Sequence, residues 1–155
     1  MLKSLFRPSP KDSWQPIIKA FADVVGKDGV IRRKDELLTY ECDGLASYRQ
    51  RPAVVVLPRT TEQVAGVVKI CDQYDLPWVA RGAGTGLSGG ALPLANGVLI
   101  VTARMNEILE TDIPNQRVVV QPGVINNWVT QAVSGKGFYY APDPSSQIIC
   151  SIGGN

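Results

Sequence analysis

Residues 81–93 read RGAGTGLSGGALP, and this glycine-rich stretch says more about fold and function than any other part of the chain. Five glycines lie between Gly82 and Gly90, directly after the apolar residues 78–80. Glycine adopts backbone angles that other residues avoid and lets the chain approach a ligand closely. Consecutive backbone N–H groups presented in this way can bind phosphate oxygens. The stretch therefore predicts a phosphate-binding loop after a β-strand.

Two familiar nucleotide-binding motifs do not fit this loop. Residues 84–89 match GxGxxG, which in Rossmann folds places a diphosphate at a helix N-terminus. Residues 90–96 are too few, and too rich in glycine and proline, to form that helix before the next strand. No Gly-Lys-Ser/Thr follows, so a P-loop is excluded. A site made of backbone N–H groups remains, beside the alternative of a turn without a ligand, which a second glycine-rich sequence, SIGGN at 151–155, makes less attractive.

Composition excludes several function classes. The 155 residues are 45% hydrophobic, which is enough for one globular core, and a net charge of +2 with dispersed signs predicts no nucleic-acid partner. The chain has no histidine, so we expect neither a metal site nor a Ser-His-Asp triad. Its three cysteines form no CxxC pair and favour reduced thiols in the cytoplasm. No segment resembles a secretory signal or a membrane span.

The N-terminal half predicts helices followed by a β-α-β unit. We expect a disordered lead-in over residues 1–12, a helix from the N-cap Ser13 to Gly26, and a short helix over 34–40. The apolar run at 53–57 predicts a buried strand. Thr60 and Gln63 have the spacing of a capping box for the following helix. A strand over residues 78–81 completes the unit, with the two strands parallel.

The C-terminal half predicts a buried strand, a hairpin, a helix and a long loop. Residues 97–102 form the strand, and 108–112 with 117–121 form the hairpin around Pro114 and Asn115. The helix covers residues 126–134, and irregular chain follows from residue 138. Cys150 is expected to be a small buried hydrophobic residue.

Several motifs, in this order, resemble the FAD-binding domain of the vanillyl-alcohol oxidase/PCMH flavoprotein family. They are VVVLP at 54–58, RGAGTGLSGGALP, PDPSS at 142–146 and SIGGN. The resemblance implies an α+β fold, with a β-α-β-rich first subdomain over about 53–102 and the start of a second α+β subdomain. We expect an N-terminal helical lead-in over 1–48 and an incomplete PCMH-type domain over 49–155. YECDGL at 40–45 resembles the glycolate-oxidase-type 2-hydroxy-acid oxidases of that family.

The resemblance also implies the contacts of the cofactor FAD. In similar proteins the first loop wraps the diphosphate, and the PDPSS and SIGGN segments approach the flavin and the other face of the diphosphate. Thr85 stands where some relatives carry a histidine bonded to FAD, so we expect noncovalent binding. Arg81 is either a salt-bridge partner or a phosphate ligand. The implied contacts are Arg81, Gly82, Ala83, Gly84, Thr85, Gly86, Ser88, Gly89, Gly90, Met105, Pro142, Asp143, Ser146, Ser151, Gly153, Gly154 and Asn155.

The implied reaction is oxidation of a small 2-hydroxy acid, with the hydride passing to the flavin. In relatives the substrate is bound largely by a C-terminal domain, so we predict no catalytic residue here and expect an inactive N-terminal part of a longer enzyme. The resemblance implies a second flavin-type subunit and an iron–sulfur subunit as partners. The alternatives are a module that binds FAD or ADP without turnover, and a truncated remnant that self-associates through exposed apolar surface.

Overall fold

The computed structural model describes residues 14–155. The lead-in expected over residues 1–12 and the expected N-cap Ser13 lie outside this range. Short 3-10 turns occupy residues 27–29, 38–40, 102–104 and 152–154. In chain order the helices and strands are α1 (Gln15–Val25), β1 (Val30–Ile31), α2 (Lys34–Leu37), β2 (Val54–Val56), α3 (Thr61–Gln73), β3 (Trp78–Arg81), β4 (Val98–Val101), β5 (Ile108–Asp112), β6 (Arg117–Val120) and α4 (Asn126–Ser134).

A four-stranded sheet in the order β1-β2-β4-β3 forms the centre of the fold. Strands β2, β4 and β3 are parallel, and β1 pairs with β2 in the antiparallel sense. The prediction that β2 and β3 are parallel is confirmed, although β4 lies between them. The two-residue strand β1 was not predicted, because two residues are too few to show a strand periodicity.

Strands β2 and β4 are buried on both faces of the sheet, which explains their uninterrupted apolar sequences. On one face, Val54 and Val98 pack with Phe21 of α1 and Val67 of α3. On the other face, a second cluster of buried residues contains Leu37, Val55, Leu57, Leu99 and Val101. The N-terminal residues from 15 to 31 therefore share a core and a sheet with the β-α-β unit.

Local signals place the ends of the helices. At α3, Thr60 Oγ1 accepts a hydrogen bond from the Gln63 N–H at 3.3 Å, as the capping box predicts. The Gln63 side chain reaches back one residue further than predicted, accepting from the Arg59 N–H at 2.7 Å. Helix α1 ends at Gly26, whose φ of +83° lies in the left-handed region that favours glycine.

The glycine-rich loop is itself the connection between β3 and the parallel strand β4. Residues 82–97 contain no helix and return the chain from the carboxyl end of β3 to the start of β4. The loop therefore leaves the sheet at the carboxyl edge, where open α/β sheets bind ligands.

The predicted hairpin and C-terminal helix are both present. Strands β5 and β6 pair in the antiparallel sense with an irregularity between Ile108 and Glu110, and α4 follows. Beyond α4 the chain is irregular up to a short turn at 152–154. The α+β class is confirmed. Among the helices within residues 14–155, none combines the length and apolar character needed to span a bilayer.

Candidate cofactor-binding cleft

Two adjoining cavities lie where the first glycine-rich loop meets the C-terminal segments. One, of about 570 Å³, lies between this loop and residues 150–154. The other, of about 640 Å³, lies between the loop and residues 142–146. Thr85, Gly86, Cys150 and Gly154 line both cavities, so the two adjoin, and together they are called the cleft. Each volume is within the usual range for a small-molecule site.

Most of the residues expected to contact a cofactor line this cleft. Gly89 and Met105 do not. Gly89 forms a turn with a φ of +73°, and its carbonyl accepts the Leu92 N–H. Met105 is buried, and its carbonyl accepts the Gly123 N–H at 2.7 Å. The expected residues that do line the cleft are Arg81, Gly82, Ala83, Gly84, Thr85, Gly86, Ser88, Gly90, Pro142, Asp143, Ser146, Ser151, Gly153, Gly154 and Asn155.

Sequence reasoning missed several lining residues. Thr102 follows β4 directly at the carboxyl edge of the sheet, and the position of that edge could have indicated it. Pro122 also lines the cleft, and its carbonyl accepts the Gly153 N–H at 2.8 Å, a contact that no sequence pattern marks. The other missed residues are Ala80, Leu87, Ala91 and Cys150, the last of which is buried as expected. Pro144 and Ser145 also line the cleft, as members of the PDPSS segment that was expected there.

The first loop presents a run of unused backbone donors. The N–H groups of residues 84–91 donate to no acceptor within residues 14–155. Only the preceding N–H, of Ala83, is occupied, because it donates to Ser151 Oγ at 3.1 Å. Backbone N–H groups are strong donors that bind an acceptor wherever one is available. Such a run fits the oxygen atoms of an anionic group such as a diphosphate.

Close packing, as well as backbone freedom, requires glycine at two positions of this loop. At Gly82 an added Cβ would collide with Ser151 Oγ. Gly84 has a φ of +73°, and an added Cβ would collide with the Arg81 guanidinium. The first residues of the loop are thus packed closely, with Ser151 against Gly82 and Arg81 against Gly84.

The C-terminal side of the cleft is fixed by backbone contacts to residues 122–127. Ser151 forms a β-bridge with Ile125, and the Ile152 N–H donates to the Val124 carbonyl at 2.9 Å. At the start of α4, the Asn126 N–H donates to the Cys150 carbonyl at 3.0 Å. The Asn126 side-chain Nδ2 donates to the Pro142 carbonyl at 3.2 Å. Because loop carbonyls occupy the first N–H groups of α4, this helix presents no free N-terminus to an anion.

The charged residues lining the cleft are Arg81 and Asp143. Arg81 Nη1 donates to the Cys42 carbonyl at 2.7 Å, and its guanidinium lies 5.9 Å from the Tyr40 ring centroid. Within residues 14–155, no carboxylate lies within ion-pair distance of Arg81. Among the described residues, Arg81 therefore does not form the salt bridge considered for it. No cluster of metal-ligating side chains occurs in residues 14–155.

Comparisons with known proteins agree with this geometry. Residues 52–155 match the family model described as FAD binding domain. The chain is 56% identical over 126 residues to glycolate oxidase subunit GlcD of Escherichia coli K12, and 42% identical over 118 residues to GlcD of Bacillus subtilis. These alignments cover 81% and 76% of this chain but 25% of each relative, so the chain spans about a quarter of their length.

Solved structures share the fold. Alkyldihydroxyacetonephosphate synthase superposes with a TM-score of 0.81 at 20% identity, covering 99% of this chain and 30% of that one. Substrate-bound p-cresol methylhydroxylase superposes with a TM-score of 0.73 at 26% identity, covering 87% of this chain and 27% of that one.

A glycine-rich loop with backbone donors at the carboxyl edge of a parallel sheet is typical of the class of proteins that bind a phosphate-bearing cofactor. Within that class, the chain belongs to the FAD-binding domain family, of the PCMH type.

Proposed function

We propose that the cleft binds FAD through its diphosphate, and that this chain is the FAD-binding part of a flavin-dependent 2-hydroxy-acid oxidase or dehydrogenase. The observation that carries the proposal is the run of free N–H groups over residues 84–91. A diphosphate bears several acceptor oxygens and a negative charge, so it needs several donors at close range.

Different parts of the cleft have different roles in this proposal. Backbone N–H groups of Gly84, Thr85, Gly86, Ser88 and Gly90 supply donors to the diphosphate. Ala83 contributes through its bond to Ser151, because its N–H is already occupied. The PDPSS segment and Asn155 border the second cavity, which adjoins the first and is available to the rest of the cofactor.

FAD is held without a covalent bond in this proposal. The first loop carries Thr85 where the resemblance places a histidine in covalently linked relatives, and the chain contains no histidine. The measurement is denaturation of the flavin-loaded protein in acid, followed by separation of precipitate and supernatant. All flavin absorbance is expected in the supernatant, and flavin in the washed precipitate would overturn the noncovalent assignment.

The whole protein is proposed to oxidise a small 2-hydroxy acid. The relatives include GlcD and a D-lactate dehydrogenase of Anaerostipes hadrus, which is 41% identical over 73% of this chain and is covered over 24% of its own length. Bound flavin would accept the hydride. We extend the proposal to a cytoplasmic location and to partnership with a second flavin-type subunit and an iron–sulfur subunit.

A second candidate is binding of FAD or ADP without turnover. The lining of the cleft favours this candidate, because it offers few groups that could act as an acid or a base. Asp143 is the one lining carboxylate, and no lining residue is a histidine, lysine or tyrosine. Glycolate oxidation by this chain alone would contradict the expectation that it is inactive without the rest of the enzyme.

Titration with FAD and with ADP tests the binding function directly. Ligand at about 100 times its Kd stabilises a fold by about 2.7 kcal/mol. For a chain of this size that raises Tm by roughly 5–11 °C. Quenching of flavin fluorescence should follow the same concentration dependence. A Tm that does not move with either ligand, together with unquenched flavin, would refute the proposed function.

A further inference from the structure

A segment that precedes the matched family region lies against the first loop. Residues 40–44 come before the family match, which starts at residue 52, yet they contact both Arg81 and the loop. Resting on the proposed FAD site, we propose that these residues are positioning residues that hold the Arg81 guanidinium as the cationic contact of the diphosphate.

The chain from 41 to 50 forms a closed loop with a defined shape. The Gln50 N–H donates to the Glu41 carbonyl at 2.7 Å, which joins the two ends. The Glu41 carboxylate, 15% exposed, pairs with Arg49 at 2.8 Å and with Arg51 at 3.7 Å. Inside the loop, Asp43 Oδ1 accepts the Leu45 N–H at 2.9 Å. These contacts fix the direction of the Cys42 carbonyl.

Arg81 is held from two sides by this segment. The Cys42 carbonyl accepts from Nη1 at 2.7 Å. The Tyr40 ring lies 5.9 Å from the guanidinium and packs against the buried cluster that contains Leu37 and Leu57, so the ring has a fixed position. A cation near an aromatic face in a partly buried place is attracted to the ring.

The same segment touches the glycine-rich loop directly. A Cβ added at Gly44 would lie 2.6 Å from the Thr85 carbonyl oxygen and 2.8 Å from that of Gly86. The Arg81 guanidinium lies against the Cα of Gly84. Residues 42–44, Arg81 and residues 84–86 therefore form one packed unit.

This unit leaves most of the Arg81 donors free for an anion. A guanidinium has five N–H groups, and one of them donates to the Cys42 carbonyl. Arg81 is the one positively charged residue among those that line the cleft. An arginine held in place with free donors forms strong charge-assisted hydrogen bonds with phosphate oxygens. No carboxylate within residues 14–155 pairs with the Arg81 guanidinium, so the diphosphate would be its negatively charged partner.

The test measures the Kd for FAD by flavin fluorescence at low and at high salt. Arg81→Gln keeps a donor for the Cys42 carbonyl and removes the charge, so the Kd should rise about tenfold or more. The salt dependence of the Kd should become flatter than in the wild type, because a screened charge pair has been lost. Arg59 is an exposed arginine that pairs with Asp28, so Arg59→Gln is the matched control. It should change neither the Kd for FAD nor the salt dependence of that Kd.

Variants in the segment test the positioning role. Tyr40→Leu removes the ring, and Gly44→Ala places a methyl group against the Thr85 carbonyl, so both should raise the Kd severalfold. Tyr40→Phe keeps the ring and should bind FAD like the wild type. Melting of each unliganded variant establishes that it is folded.

Each result decides between specific alternatives. An Arg81→Gln variant that binds FAD like the wild type, or more weakly with an unchanged salt dependence, would overturn the role of Arg81 as the cationic contact. Folded Tyr40→Leu and Gly44→Ala variants with wild-type Kd values would overturn the positioning role. A wild-type chain that binds neither FAD nor ADP would instead refute the proposed function.

Discussion

Substitution of Gly82 by alanine tests how the two sides of the cleft are joined. In the wild type an added Cβ would overlap Ser151 Oγ, while the nearest Ser151 carbon would lie at 3.5 Å, an ordinary contact. Ser151 is 4% exposed and is held by its bridge to Ile125, so it cannot move away freely. We expect Gly82→Ala to lower the free energy of unfolding by about 1–3 kcal/mol, as overpacking commonly does.

The loss of stability caused by Gly82→Ala should depend on the hydroxyl group of Ser151. Ser151→Ala alone removes the hydrogen bond to the Ala83 N–H and should cost about 1 kcal/mol, or roughly 2–4 °C in Tm. In the Ser151→Ala background the obstacle to the Gly82 methyl group is gone. The second substitution should then cost less than 1 kcal/mol, which gives a coupling energy of about 1 kcal/mol or more.

Urea unfolding of the four proteins measures this double-mutant cycle. Ser134→Ala, at an exposed helix end where Oγ bonds the Gln131 carbonyl, is the control and should change stability by less than about 0.5 kcal/mol. If Gly82→Ala costs the same with and without the Ser151 hydroxyl, the two loops are not packed as described. In that case the cleft must be formed by other contacts.

Three further substitutions test the core, a cap and a buried thiol. Phe21 is fully buried between α1 and the sheet, so Phe21→Ala should cost about 3–5 kcal/mol in urea unfolding, whereas Phe138→Ala, at a 37% exposed side chain, should cost much less. Thr60→Ala should lower the free energy of unfolding by about 1 kcal/mol, because it removes the cap of α3, whereas Thr60→Ser should retain the cap. Equal Tm values for the two variants would contradict the role of Thr60 as a cap. Burial raises the pKa of the Cys71 thiol from 9.0 to about 11. The folded state thus binds the proton more tightly than the unfolded one, and the free energy of unfolding should fall as pH rises from about 9 to 11, a fall that Cys71→Ala should reduce.

The secondary structure was predictable because its causes are local. The run at 54–56, the cap at Thr60 and the glycine at 26 each act within a few residues, and each element they predict is present. The order of the strands was not predictable in the same way. Strand β4 inserts between β2 and β3 because its side chains complete both buried clusters, which is a property of the assembled sheet.

The candidate site was likewise predictable where local patterns indicate its residues and not where long-range contacts bring residues together. The glycine pattern and the motif resemblance indicated fifteen residues that do line the cleft. Met105 was also expected to line the cleft but does not, because its side chain packs into the interior. Thr102 could have been indicated by its place at the carboxyl end of a predicted strand, whereas Pro122 could not be assigned from sequence, since its contact to Gly153 depends on tertiary packing.

The sequence by itself determined that the chain after Arg81, over residues 82–93, forms a helix-free loop rich in backbone donors, because glycine content and spacing act locally. Only the tertiary structure decided which of those donors are free and what surrounds them. The Ser151 hydroxyl, 68 residues away from Ala83, accepts one N–H, and residues 40–44 contact Arg81, for which residues 14–155 supply no carboxylate partner. The physical reason is that hydrogen bonds and close contacts between distant segments depend on the packing of the whole sheet, which no local pattern encodes.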